Sequence, residues 1–283
     1  MADVRVTEFT DPTCPWAWSA EPFRRRLRWL YGDALDWETR MVGLSASADE
    51  AGHGLTRDGL AASYRRISHE HGMPIDSQPR TRLAPSLPAC RVVVAVRLHD
   101  PAKVQRVLRE LRVLHFSGHP LDEPETLAAA AATAAIPPRL FEDWLTDPRV
   151  EHALEEDMRL TREPLPAARV LDAALANWSG GRRYSCPSYE IMRLSDSVRV
   201  AIPGFQPFAV YDVVTANLVP SVARRDPPST VADALRWADC PLATQEVAVL
   251  CQISFADARE QLGRVAEERC VGADGFWTLR PGL

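Results

Sequence analysis

The first forty residues restrict the fold more than any other stretch of this chain. Val4 to Phe9 alternates apolar and polar side chains, and Leu35 to Val42 is a second run rich in β-formers, so both read as strands. Between them the spacing predicts a helix. It begins near Pro15, whose fixed φ suits a first turn, and runs through Trp18, Phe23, Leu27 and Leu30 to a stop at Gly32. A strand, a helix and a strand in such short compass form a βαβ unit with parallel strands and a right-handed crossover. The chemistry of such a unit sits where its first strand feeds the helix.

The pattern then changes. From Leu55 to Ala176 helical signals dominate: Asp100-Pro101 is a start by N-cap and first-turn chemistry, Ala128 to Ala132 fills a helix, and Ile136-Pro-Pro-Arg-Leu140 restarts one. Pro74, Pro79, Pro85 and Pro88, with Met73 and Leu83, make a proline-rich connector that reads as an ordered surface loop. After Gly180-Gly181 strands return. Ser188 to Leu194, a turn at Ser195-Asp-Ser197 and Val198 to Ile202 predict a hairpin, followed by a helix from Pro207 to Leu218. Arg224-Arg-Asp-Pro-Pro228 reads as a linker, and Thr230-x-x-Asp233 opens a short helix as a capping box.

With 25% charged residues and no apolar stretch approaching the about 20 residues of a membrane helix, a spanning helix is not expected. The charged start does not read as a secretory signal, so the expected location is the cytoplasm, with no membrane partner. Six cysteines, at 14, 90, 186, 240, 251 and 270, are too sparse for a disulfide scaffold and are read mostly as thiols. The net charge of −5 argues against a nucleic-acid surface over the whole protein. Only Lys103 among the 33 basic residues is lysine, a bias spread along the entire chain and read as genome composition.

Asp11-Pro-Thr-Cys14-Pro-Trp-Ala-Trp18 carries the most chemical information. A cysteine at a helix start has free N–H groups and the positive dipole end beside its sulfur, which favour thiolate over thiol. Cys14 is therefore a candidate nucleophile; the alternative is a partly buried thiol at an ordinary turn.

The stretch from Phe9 to Trp18, followed by Glu21-Pro22, resembles the active-site segment of DsbA-family thioredoxin-fold proteins, in the cytoplasmic branch of predicted dithiol-disulfide isomerases. The order β, α, β, helical insert, β, β, α is also that family's. Arg183-Tyr-Ser-Cys-Pro187-Ser-Tyr-Glu-Ile191 and Pro203-Gly-Phe-Gln-Pro207 are similar to its cis-proline loop and last strands and helix. The resemblance implies an α/β, thioredoxin-like fold. Residues 1–50 and 177–223 would form its two halves, 51–176 an all-helical insert, and 229–283 a small winged-helix-like C-terminal module.

It also implies a site. Cys14 would be the nucleophile and Pro187 the cis-proline opposite it, with Pro15, Trp16, Ala17 and Cys186 lining a substrate groove. One departure matters: where the family carries Cys-x-x-Cys, this chain has Ala17, which cannot resolve a mixed disulfide. The expected activity is thus monothiol exchange on protein or peptide thiols and disulfides, released by a low-molecular-weight thiol as co-substrate and with no bound cofactor. The alternative is a redox-inactive peptide-binding or protease-adaptor protein. Cys186 is either a small buried hydrophobe or a substitute resolving thiol.

Other motifs carry less. His69-Glu-His71 lacks metal-ligand spacing and reads as a solvated face, so no metal is expected. Cys240, Cys251 and Cys270 read as buried core thiols. Trp16 and Trp18 could form a hydrophobic lip over Cys14, Trp18 equally a core residue. From Leu242 onward a helix, a turn, a Ser254-x-x-Asp257 capping box on a helix to Glu268, and strands at Val271 and Phe276 to Leu279 give the winged-helix-like pattern. From Cys240 to Leu283 four arginines face six acidic residues, which favours protein contact or packing over DNA binding.

Overall fold

The computed structural model describes residues 2–238 and 240–282; Met1, Asp239 and Leu283 lie outside the described residues. Strand β1 (Val4–Thr10) pairs in parallel with β2 (Leu35–Met41), the geometry a βαβ unit requires. The hairpin of β5 (Ser188–Arg193) and β6 (Arg199–Ile202) joins antiparallel to β1, giving the sheet order β2-β1-β5-β6. Val4 and Val6 point to one face and pack with Leu27 and Leu30 of the helix Glu21–Tyr31 and with Tyr211 and Leu218 of the helix Phe208–Leu218. Phe9 points to the other face and stacks on Tyr184 at 4.6 Å. This is the period-2 consequence of the alternating sequence.

The single helix predicted from Pro15 to Gly32 is two: α1 (Pro15–Ser19) and α2 (Glu21–Tyr31), meeting at Ala20. Pro22 has no N–H to give the ladder, which interrupts it at this point. Gly32, at φ 50°, ends α2 in a conformation closed to most other residues.

Between β2 and β5 come α3 (Ala48–Ala51), α4 (Arg57–His71), α5 (Leu87–His99), α6 (Val104–Phe116), α7 (Pro124–Thr133), α8 (Pro138–Leu145) and α9 (Arg149–Thr161). They share a core of their own, in which Val92 to Val96 of α5 are wholly buried beside Val107, Leu111 and Phe141. Each such valine contributes about 1.5–3 kcal/mol by leaving water. Asp100 does not cap a helix with its side chain: a 3-10 turn at Pro101–Lys103 intervenes, and the carboxylate pairs with Lys103. A further hairpin that the sequence reading missed, β3 (Leu175–Trp178) with β4 (Gly181–Tyr184), precedes β5. The turn Gly180-Gly181 lies inside this hairpin and not before the strands.

After α10 (Phe208–Leu218), the C-terminal segment runs α11 (Val231–Ala238), β7 (Leu242–Ala243), α12 (Thr244–Cys251), α13 (Phe255–Val265), β8 (Ala266–Val271) and β9 (Asp274–Leu279). Both N-caps form, though without the reciprocal half of a capping box: Thr230 Oγ1 accepts from Asp233 N at 3.1 Å and Ser254 Oγ from Asp257 N at 3.0 Å, while each Asp carboxylate accepts from the hydroxyl. Helix α13 stops at Val265, not Glu268, because residues 266–271 pair with β9 instead. This segment is docked on the rest of the chain. Gly272, in the β8–β9 turn, approaches so closely that an added Cβ would lie 2.2 Å from the Ile75 carbonyl. Phe276 shares a core with Trp18, Ile75 and Phe116.

Candidate thiol site

Cys14 occupies the N-cap position of α1, with Pro15 in the first turn and Trp18 N donating to the Cys14 carbonyl at 3.0 Å. With only five residues, α1 is too short for the long-helix dipole expected from sequence. The adjacent N–H groups act instead. The side chain is 3% exposed, and as a thiol it donates from Sγ to the Cys186 carbonyl at 3.2 Å.

Burial pushes the Cys14 pKa upward, and the Asp11 charge adds to this. Hydrogen bonds to the sulfur from the Cys186 thiol and from the N–H groups of Ala17 and Trp16 outweigh both, so it falls below the ordinary thiol value. Cys186 shifts the other way. Its own burial, then its proximity to Cys14, push it well up, so it is the proton donor of the pair. Neither cysteine is in a disulfide. The Cys186–Pro187 peptide bond is cis. Ser188 fixes this loop by donating to the Ser185 carbonyl at 2.7 Å and accepting from Gly204 N at 3.0 Å.

The loop before Cys14 is anchored by Asp11, which is wholly buried. One carboxylate oxygen accepts from Thr13 N and Oγ1 at 2.9 and 2.8 Å; the other accepts from Leu44 N and Ser86 Oγ at 2.8 Å and from Cys90 Sγ at 3.5 Å. A carboxylate with donors on both oxygens tolerates burial and holds its loop to two other segments, the chain after β2 and the start of α5.

Among the residues singled out from sequence, Cys14, Cys186 and Pro187 meet at one place, with Pro15 and Trp16 half-buried beside them and Ala17 buried beneath at 1% exposure. The two tryptophans separate. Trp18 is a core residue, wholly buried, its Nε1 donating to the Pro74 carbonyl at 2.9 Å and its ring stacked on Phe116. Trp16 is half-buried. Its ring contacts His71 at 5.3 Å and Phe205 at 5.8 Å, and these two rings lie 4.8 Å apart.

His71 therefore does not belong to a solvated face: the last turn of α4 brings it onto Trp16, and partial burial lowers its pKa, leaving it neutral at pH 7. Arg183 also went unnoticed as a site residue; half-buried, it lies near enough to Cys186 and Cys14 to interact with their charges. A lone histidine two positions from another gave no signal that α4 would end against the Cys14 segment. Cys270 is exposed, and Cys240 and Cys251 are half-buried, correcting the expectation of core thiols. Cys240 Sγ instead takes a hydrogen bond from Arg25 at 3.3 Å, and Cys251 lies near Thr230. Among the described residues no group of three His, Cys, Asp or Glu is placed to hold a metal ion.

The fold is that of DsbA-like thioredoxin-fold proteins. The cytosolic disulfide reductase DsbM from Pseudomonas aeruginosa superposes with a TM-score of 0.55 at 18% identity, over 76% of this chain and 99% of that one. The same protein with GSH gives 0.53 at 18% identity, over 76% and 98% of the two chains. A probable DsbA oxidoreductase from Streptomyces coelicolor gives 0.54 at 15% identity, over 80% and 93%. In sequence, the ClpXP adapter protein SpxH from Halalkalibacterium halodurans is 23% identical over 274 residues, 93% of this chain and 82% of that one. SpxH from Shouchella clausii is 22% identical over 272 residues, 95% and 85%. No family model matches the chain.

Proposed function

We propose that this protein performs thiol–disulfide exchange at a single cysteine, Cys14, with Pro187 opposite it and Pro15, Trp16, Ala17 and Cys186 lining the substrate groove. The observation that carries the reading is the Cys14 sulfur itself, buried yet surrounded by donors that favour its thiolate. The Cys14 thiolate attacks one sulfur of a substrate disulfide; the Cys14–substrate bond forms as the substrate S–S bond breaks, and the other sulfur leaves as thiolate. With Ala17 in place of a second cysteine, an external low-molecular-weight thiolate then attacks the mixed disulfide and regenerates Cys14. The DsbM structure with GSH supports a small thiol in that role, and the description of DsbM as cytosolic supports a cytoplasmic setting.

The supporting test is intact mass after incubation with oxidised glutathione. One adduct, mapped to Cys14, absent from Cys14→Ser and removed by reduced glutathione, is the expected result. A native protein that takes no adduct at Cys14, while its unfolded chain does, overturns the proposal.

We read residues 1–50 and 177–223 as the two halves of the thioredoxin-like domain, 51–176 as its insert and 229–283 as a winged-helix-like module used for protein contact. One observation favours the adaptor reading: the SpxH alignments cover 93% and 95% of this chain and so extend into the C-terminal module. Client degradation by ClpXP, measured with wild type and Cys14→Ser, separates the two. Stimulation undiminished by the substitution favours the adaptor.

A further inference from the structure

A small cavity of about 50 Å³ lies on the Thr13 side of the Cys14 loop, walled by the helical insert and the proline-rich connector. Thr13 and Ser45 form its inner wall, Leu60 and Tyr64 come from α4, Arg80 to Ala84 from the connector, and His115 and His119 from the end of α6. Cys14 is not itself a lining residue, but Thr13 sets it one residue away, about 3.8 Å between Cα atoms.

The charge of the lining is one-sided. None of the described residues lining the cavity is Asp or Glu, whereas two arginines line it; His115, also in the lining, is held neutral by burial and by Arg80. Arg82 is already neutralised by Asp122 and Glu123 on the outside. Arg80 is not. Its Nη2 donates to two backbone carbonyls, His115 at 2.9 Å and Asp76 at 3.4 Å, and it forms no ion pair among the described residues, although the Asp76 carboxylate also lies near Gly118. Carbonyl oxygens orient a guanidinium without cancelling its charge. Tyr64 Oη and His115 Nε2, 3.2 Å apart, complete a polar floor. Arg80 Nη1 and Asp76 Oδ2 lie 2.8 and 3.2 Å from the Cβ position of Gly118, close but not paired. A half-buried arginine whose planar donors meet only carbonyls directly can take an incoming carboxylate in competition with Asp76.

We infer that this cavity binds the carboxylate of the low-molecular-weight thiol or disulfide that reacts at Cys14, with Arg80 as its receptor. The inference rests on the monothiol reading for its role and on the cavity for its location. Arg80 acts by positioning the substrate; the sulfur chemistry remains at Cys14. The bond changes are those already given, and the carboxylate undergoes none.

Two measurements test it. The first compares Cys14 modification by dithiodiglycolate, a dianion, with that by the neutral bis(2-hydroxyethyl) disulfide, each normalised to the exposed Cys270 of the same molecule. The expected preference at Cys14 for the dianion is at least tenfold, falling to within twofold in Arg80→Gln and in Ala84→Phe, which adds bulk at the cavity wall. A preference unchanged in both folded variants overturns the inference. The second uses Cys14→Ser and S-methylglutathione, which cannot exchange. Binding that is lost in the added Arg80→Gln supports the cavity, and no binding at millimolar concentration overturns it. If Cys14 reacts with neither disulfide, the monothiol reading fails, and the S-methylglutathione titration still decides whether the cavity takes a carboxylate.

Discussion

Replacing Glu246 by Gln should loosen the C-terminal segment from the site it backs. The Glu246 carboxylate, wholly buried in the first turn of α12, accepts from Arg25 Nε at 2.6 Å, from Arg109 Nη1 and Nη2 at 2.8 and 2.6 Å, and from Ala243 N at 2.8 Å. Arg25 lies on α2 and Arg109 on α6, so one carboxylate joins three parts of the chain. The Arg109 guanidinium also lies over the Trp18 ring at 4.7 Å and the Phe276 ring at 5.5 Å. In Glu246→Gln the two cations fare differently. Arg25 keeps Glu21 at 3.5 Å and Cys240 Sγ at 3.3 Å, while among the described residues Arg109 keeps the Pro241 carbonyl at 3.2 Å, the two rings and a longer-range attraction to Glu21.

Stranding one buried charge costs about 3–5 kcal/mol, a large share of the about 5–15 kcal/mol that holds a typical fold. Replacing Glu246, Arg25 and Arg109 together by Met should recover most of the loss, because the pairs themselves roughly balance their desolvation. Glu70→Gln, in the exposed Arg66–Glu70 pair, should cost less than about 1 kcal/mol. Urea unfolding followed by tryptophan fluorescence reads all three. A loss below about 1 kcal/mol for Glu246→Gln, or a triple variant no more stable than the single one, would refute the argument.

Four further outcomes follow from the same geometry. Asp11→Asn removes an acceptor from the buried cluster and should cost about 1–3 kcal/mol, while lowering the Cys14 pKa further because the opposing charge is gone; urea unfolding and a pH series of alkylation check the two parts. Iodoacetamide should modify Cys14 with a midpoint below the ordinary thiol value of 9.0, the rate falling as pH drops through it, whereas Cys186 and Cys90, both pushed well up by burial, stay slow; equal rates at several cysteines would contradict this. Ala17→Cys should form a reversible disulfide with Cys14, seen as a loss of two thiols on oxidation, and failure to form it would contradict the register of α1. Mild oxidation without small thiols should link Cys14 to Cys186, which peptide mapping detects; overoxidised Cys14 beside free Cys186 would contradict the thiol–thiol contact.

What the sequence determined by itself was local. Alternation in Val4 to Phe9, proline and glycine around the first helical stretch, the 195–197 turn and the side-chain caps at Thr230 and Ser254 act within a few residues, and each produced its element, the first helical stretch as two helices. The placement of Cys14 at a helix start is of the same kind. The family resemblance added the meeting of Cys14 with Cys186 and Pro187, which no local rule contains. Tertiary structure decided the remainder. Whether His71 faces water or Trp16 depends on where α4 ends against a segment 55 residues earlier, and nothing in His69-Glu-His71 encodes that. Glu246 reads in sequence as an ordinary first-turn acid, yet it pairs with arginines 221 and 137 residues away. Arg80 is one arginine among many until the connector folds over Thr13 and sets its donors on backbone carbonyls. Short-range preferences choose helix or strand, but the partner of a buried charge or ring is chosen by which surfaces exclude water together, and that is settled only when the whole chain packs.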